Sequence, residues 1–189
     1  MTSGTAPPSP RPPSPRPPLG HRSPGGRRGA GAVPFERVVA DHGTVVLRVC
    51  RAMVGPHDAE DVWADTFLAA LAAYPRLRPD SNLRAWLITI AHHKAVDRLR
   101  AAARAPLTVD PLPEAAADGA EPADPDPELW AAVVALPPKQ RGAVAYHYVA
   151  DLPYAEVGEL LGTTAAAARR SAADGIASLR VALASRSHP

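Results

Sequence analysis

Residues 154–173 read YAEVGELLGTTAAAARRSAA. The stretch is a short amphipathic helix, a glycine-containing turn, a threonine cap and a second helix, the layout of a helix-turn-helix. Gly162 supplies the positive φ that the tight turn needs. Thr163 or Thr164 caps the second helix. Val157, Leu160 and Leu161 point the first helix inward, and small residues at Gly158 and Ala168 let the two helices cross closely. In such motifs the N-terminal half of the second helix meets base edges in the major groove. Here that half offers Thr163, Thr164, Ala165, Ala166, Arg169 and Arg170. Arginine takes guanine O6 and N7 bidentately, or a phosphate. The alternative is an ordinary helical hairpin with both arginines on a solvated face.

Working back toward the N-terminus, the pattern stays helical. A helix opens at Asp126 or Pro127 and runs through Leu129, Val133, Val134 and Leu136. Pro137-Pro138 starts another, carrying Val144, Tyr146, Tyr148 and Val149. A short helix spans about 153–160, and the last about 164–184. Before residue 105 the apolar spacing predicts three more helices, at 35–54, about 58–74 and 81–103. The second places Trp63, Phe67, Leu71 and Tyr74 on one face. The third has an apolar side of Leu83, Trp86, Leu87, Ile90 and Leu99. No strand-like alternation of any length occurs, so the fold class is all-α.

Composition divides the chain further. The 189 residues carry a formal net charge of +2, yet residues 1–34 hold five Arg and no acid, with ten Pro. This Pro/Arg-rich tail cannot offset its ordering entropy and is expected to be disordered. Residues 105–127 hold six acids, six Pro and no base. They read as a disordered acidic linker, which spans roughly 75 Å at most when stretched, far enough to hold its flanking domains apart. The expected organisation is a tail at 1–34, a helical domain at 35–104, the linker at 105–127, a helical domain at 128–184 and a disordered end at 185–189.

The single cysteine, Cys50, excludes an intramolecular disulfide and a cysteine-based zinc cluster. His92-His93 has no second ligand pair, so neither metal nor cofactor is expected. No apolar run reaches the length of a membrane span or a signal-peptide core. A soluble cytoplasmic protein follows. No Ser/His/Asp set, paired carboxylates in a pocket or phosphate-cradling glycine loop is evident, which argues against an enzyme.

Two helices of the N-terminal domain segregate charge. Asp58, Glu60, Asp61 and Asp65 crowd the start of one, and Lys94, Arg98, Arg100 and Arg104 gather at the end of the next. Helix dipoles explain part of both clusters. The functional reading is an acidic protein-docking face and a basic DNA-facing edge; the alternative is a pair of solvated faces.

Three blocks, EDVWADTF, RAWLITIAHHKAVDRLR and LPPKQR…YAEVGELLG, agree in order and spacing with a known family. Over 35–104 and 128–184 the chain resembles a bacterial RNA polymerase sigma factor of the extracytoplasmic-function type. The resemblance implies a transcription initiation factor that directs core RNA polymerase to promoters. It implies that region 2 docks on the β′ clamp helices through Asp58, Glu60, Asp61, Asp65, Thr66 and Phe67. It implies −10 element contacts from Asn82, Arg84, Trp86, His92, His93, Lys94, Arg98 and Arg100. For Trp86, on the apolar side, core packing is the alternative role. Region 4 would read the −35 element through Lys139, Arg141, Thr163, Thr164, Ala165, Ala166, Arg169 and Arg170, with Gln140 near the phosphates. The partners implied are core polymerase, including its β flap, promoter DNA and an anti-sigma factor, with no membrane insertion. The linker's carboxylates would mimic nucleic-acid charge in a basic channel.

The chain departs from the family pattern in places. The recognition helix is alanine-rich, Asp174 places a carboxylate where phosphate would be near, and Gly175 sits in a helix interior. Many members have Asn where His93 stands. A helix-turn-helix regulator or a helical adaptor working without polymerase is the rival reading.

Overall fold

The computed structural model describes residues 33–104 and 126–185. The basic arm, the acidic linker and the C-terminal tail proposed from the sequence lie almost wholly outside the described residues. The described residues form seven α-helices: α1 (Phe35–Val54), α2 (Pro56–Ala73), α3 (Leu83–Arg104), α4 (Pro127–Val134), α5 (Pro138–Val144), α6 (Tyr154–Leu160) and α7 (Ala165–Ala184). A 3-10 turn at Tyr74–Arg76 follows α2, and a π turn at Ala145–Val149 extends α5.

Helices α1 to α3 form a three-helix bundle. Val38, Val46, Val49 and Met53 of α1 meet Val62 and Phe67 of α2 and Leu87 and Ile88 of α3 in an apolar core. Phe67 lies edge-on to Phe35 at 6.3 Å and against Trp63 at 4.7 Å. The indole N–H of Trp63 donates to the Gly43 carbonyl oxygen at 3.0 Å, which satisfies its polar handle within the bundle. Leu71, expected on the same face, is instead 52% exposed, and Leu68 is 66% exposed. The α2 register buries Ala59, Val62, Phe67 and Ala70 and turns both leucines outward.

Helices α4 to α7 form the second bundle. Asp126 caps α4, its side chain accepting from the Leu129 N–H at 2.9 Å. The α5 helix was expected to continue evenly through Val149. It widens instead, with the Ala150 N–H reaching the Ala145 carbonyl at 3.1 Å. The π turn leaves Tyr146 wholly buried and Tyr148 at the surface. Asp151 follows with φ 57, a left-handed conformation that aspartate tolerates.

The two bundles touch, although the linker is long enough to let them sit far apart. Helix α1 packs on α4, α5 and the π turn, and α3 meets α6. Buried apolar residues of both bundles form one cluster. Polar links cross the contact as well: His92 Nδ1 lies 2.7 Å from the Tyr146 hydroxyl, and Arg84 Nη1 lies 3.6 Å from Asp151 Oδ2.

Candidate nucleic-acid interface

The α6–α7 unit is built as the sequence leads one to expect. Gly162 turns the chain with φ 61. Thr164 is the cap, its hydroxyl accepting from the Ala167 N–H at 3.2 Å. A Cβ on Gly158 would lie 2.9 Å from the Thr164 carbonyl carbon, so only glycine permits this crossing. Ala168, Ala172, Gly175 and Leu179 form the buried side of α7. Gly175 also has a packing role, because a Cβ there would stand 2.8 Å from Val144 Cγ2. The glycine that departs from the family pattern is therefore demanded by the close approach of α5. Ala165, Ala166, Arg169 and Arg170 recur at three- and four-residue spacing on the opposite, exposed side. Thr164 is exposed and Thr163 half-buried beside them.

Arg169 does not hang free. Its guanidinium carbon lies 5.2 Å from the centroid of the Tyr154 ring. Sequence periodicity had marked neither Tyr154 nor its neighbour His147 as part of this surface. Ring stacking between α6 and the π turn leaves no periodic signature.

Arg141, expected near the DNA backbone, is largely buried. It is 8% exposed, and its guanidinium donates to the Val134 carbonyl at 3.0 Å, tying α5 to the end of α4. Burial lowers its pKa from the ordinary arginine value. Lys139 is exposed, and Gln140 is half-buried.

The first turns of α3 hold the second candidate surface. Asn82 caps the helix, its side-chain oxygen accepting from the Ala85 N–H at 3.2 Å. Asn82 and Trp86 line a cleft of about 350 Å³ with Leu77, Ala85 and Thr89. Its other wall is Glu156, Glu159 and Leu160 of α6. Trp86 is half-buried, near Tyr74 at 6.3 Å, so it sits between the core and surface roles foreseen for it. His93 and Arg100 are exposed, and Lys94 is half-buried.

Three residues foreseen on this DNA-facing edge have protein partners instead. Arg84 faces Asp151, and His92 is committed to Tyr146. Burial holds the His92 imidazole below its usual pKa, with the His93 and Arg100 charges adding to the effect. Arg98 pairs with Asp58, which staples the end of α3 to the start of α2. The Arg98 hydrogen bond is the main cause of the lowered Asp58 pKa.

On α2 the acidic set also divides. Glu60, Asp61 and Asp65 are exposed. Asp58 is taken by Arg98. Thr66 is 0% exposed and its hydroxyl donates to the Val62 carbonyl at 2.6 Å, while Phe67 is core. Leu68 and Leu71 stand beside the acids instead, so the outer face of α2 is mixed acidic and apolar.

Comparison with known proteins bears on both bundles. Residues 38–105 match the Sigma-70 region 2 family and residues 127–179 match Sigma-70, region 4. The chain is 36% identical to the ECF RNA polymerase sigma factor SigJ of Mycobacterium tuberculosis, over 61% of this chain but only 40% of that protein. It is 33% identical to the RNA polymerase sigma factor CarQ of Myxococcus xanthus, over 77% of this chain and 87% of CarQ. Among solved structures, CnrH of Cupriavidus metallidurans in complex with the cytosolic domain of CnrY matches at 25% identity and a TM-score of 0.56, covering 80% of this chain and 88% of CnrH. A three-helix bundle with an acidic outer face, a helix-turn-helix bundle after it, and both region matches in that order place the chain in the family of ECF-type RNA polymerase sigma factors.

Proposed function

We propose that this protein is a transcription initiation factor that binds core RNA polymerase and selects promoters by their −10 and −35 elements. The observation that carries the reading is the pairing, in one chain, of an exposed recognition face on α7 with an acidic and apolar outer face on α2. Glu60, Asp61, Asp65, Leu68 and Leu71 suit a helical, basic and apolar partner surface such as the β′ clamp helices. Charge steers the approach and the leucines give up apolar area to the contact.

The −35 element is read by the α7 face of Thr164, Ala165, Ala166, Arg169 and Arg170, with Lys139 on a phosphate and the bundle set against the β flap. Alanine methyls meet thymine methyls, and arginine edges meet guanine or phosphate. The −10 strand lies along α3, where Asn82 and Trp86 hold an unpaired base and His93, Lys94 and Arg100 face the backbone. Base capture at Asn82 and Trp86 requires α6 to withdraw, because its two glutamates form the opposite wall of their cleft. The factor works by binding energy and contributes no catalytic step. Its place of action is the cytoplasm, where an anti-sigma partner would compete for the same helices. Gel filtration of the chain with core polymerase, followed by promoter binding, tests the reading. A stable complex that retains promoter DNA is expected; separate elution would refute it.

A further inference from the structure

Tyr154 contacts both the Arg169 guanidinium and the His147 ring. The His147 and Tyr154 rings lie 3.8 Å apart with an interplanar angle of 23°, and the Arg169 guanidinium covers Tyr154. The base of the stack is fixed. His147 Nδ1 lies 2.8 Å from the Leu152 carbonyl oxygen. A carbonyl only accepts, so Nδ1 carries the proton and the ring orientation is set. Tyr148 closes the side of His147 edge-on at 4.8 Å. Pro153 and the glycine-tight crossing at Gly158 hold Tyr154 on a rigid helix start.

The stack matters because of what surrounds Arg169. The opening turn of α7 offers Ala165, Ala166 and Ala167, which bring methyl groups and no hydrogen bonds. Beside the Thr164 hydroxyl at the cap, the long hydrogen-bonding side chains on this face are Arg169 and Arg170. A guanidinium over a ring can use its face and keep its in-plane N–H edges for a base. The contact with Tyr154 at 5.2 Å thus restricts where the guanidinium sits.

We propose that Tyr154, backed by His147, is a positioning residue for Arg169 and so determines which base pair of the −35 element is read and how sharply. The inference rests on the reading of α7 as the −35 helix. It adds a residue of the preceding helix to the specificity of the site.

The test uses full-length chain assembled with core polymerase and a panel of duplex promoters substituted singly through the −35 element. The variants are Arg169→Ala, Tyr154→Phe, Tyr154→Leu, His147→Gln and the Tyr154→Leu/Arg169→Ala pair. Arg169→Ala should flatten preference at one base pair. Tyr154→Phe, which keeps the ring, should bind and discriminate as wild type. Tyr154→Leu should lose about two- to fivefold on the preferred sequence and flatten the same base pair. His147→Gln, which removes the backing ring alone, should shift that base pair in the same direction by less. The pair should be no worse than Arg169→Ala. Equal loss on every sequence with Tyr154→Leu, or further loss in the Arg169→Ala background, would overturn the proposal while leaving the −35 reading intact. If Arg169→Ala itself alters no base preference, the −35 role of Arg169 fails and the positioning role fails with it.

Discussion

His92 on α3 and Tyr146 in the π turn meet across the two bundles, the imidazole Nδ1 2.7 Å from the phenol oxygen and the rings edge to face at 5.6 Å. The phenol is wholly buried, so this contact joins α3 to the core of the other bundle.

Stability should therefore fall with acid. His92 and His42 both have pKa values lowered from 6.5, for which burial is the largest cause, so the folded state holds them neutral. The unfolded chain takes up their protons first. Their contribution is complete above 6.5 and is lost as pH falls through the lowered values. Thermal midpoints measured between about pH 7 and pH 5 should decline, and His92→Gln should flatten the decline. An unchanged slope in that variant would contradict the assignment.

Two glycine substitutions should rank by what the added methyl meets. At Gly158 it meets backbone of the turn, and at Gly175 it meets a valine side chain. Both should destabilise by about 1–3 kcal/mol, Gly158→Ala more, although alanine favours a helix interior by about 1 kcal/mol. Denaturant unfolding of both variants checks the order; a stabilised Gly175→Ala would show that the approach of α5 is not tight.

Arg141 and Lys139 should separate by salt dependence. Lys139→Ala should reduce the slope of log affinity against log salt for promoter DNA by about 1. Arg141→Ala should leave the slope alone and lower stability by about 1–3 kcal/mol, since it removes a buried charged donor from the Val134 carbonyl. A reduced slope for Arg141→Ala would restore it to the DNA contact.

On α2, Asp61→Arg and Leu68→Ser should each weaken polymerase capture without lowering the thermal midpoint, because both side chains are exposed. Asp58→Asn should instead affect the Arg98 staple and leave capture nearly unchanged. Pull-down of core polymerase with each variant, read beside its melting curve, distinguishes docking from folding. Undiminished capture by both Asp61→Arg and Leu68→Ser would move the docking face elsewhere.

Much of this was legible in the sequence. Helical periodicity placed α1 to α3, proline marked the starts of α4 and α5, Gly162 marked the turn, and Thr163 or Thr164 the cap, which the structure gives to Thr164. Those signals are local, and the structure realises them. What a linear reading does not show is non-local. Arg98, Arg141 and His92 look like free cationic or polar groups in sequence, yet each has a partner that only tertiary packing supplies. Thr66 looks polar but bonds back to its own helix, and Leu71 looks apolar but faces outward. The π turn leaves no periodic trace, and with it the His147–Tyr154 stack and the contact between bundles were invisible.

The most direct measurement is transcription from a genomic promoter pool by purified core polymerase, with and without this chain. The account predicts a small set of new start sites sharing −10 and −35 sequences, with the −35 signal blurred by Arg169→Ala. An identical start-site profile with and without the chain would contradict it.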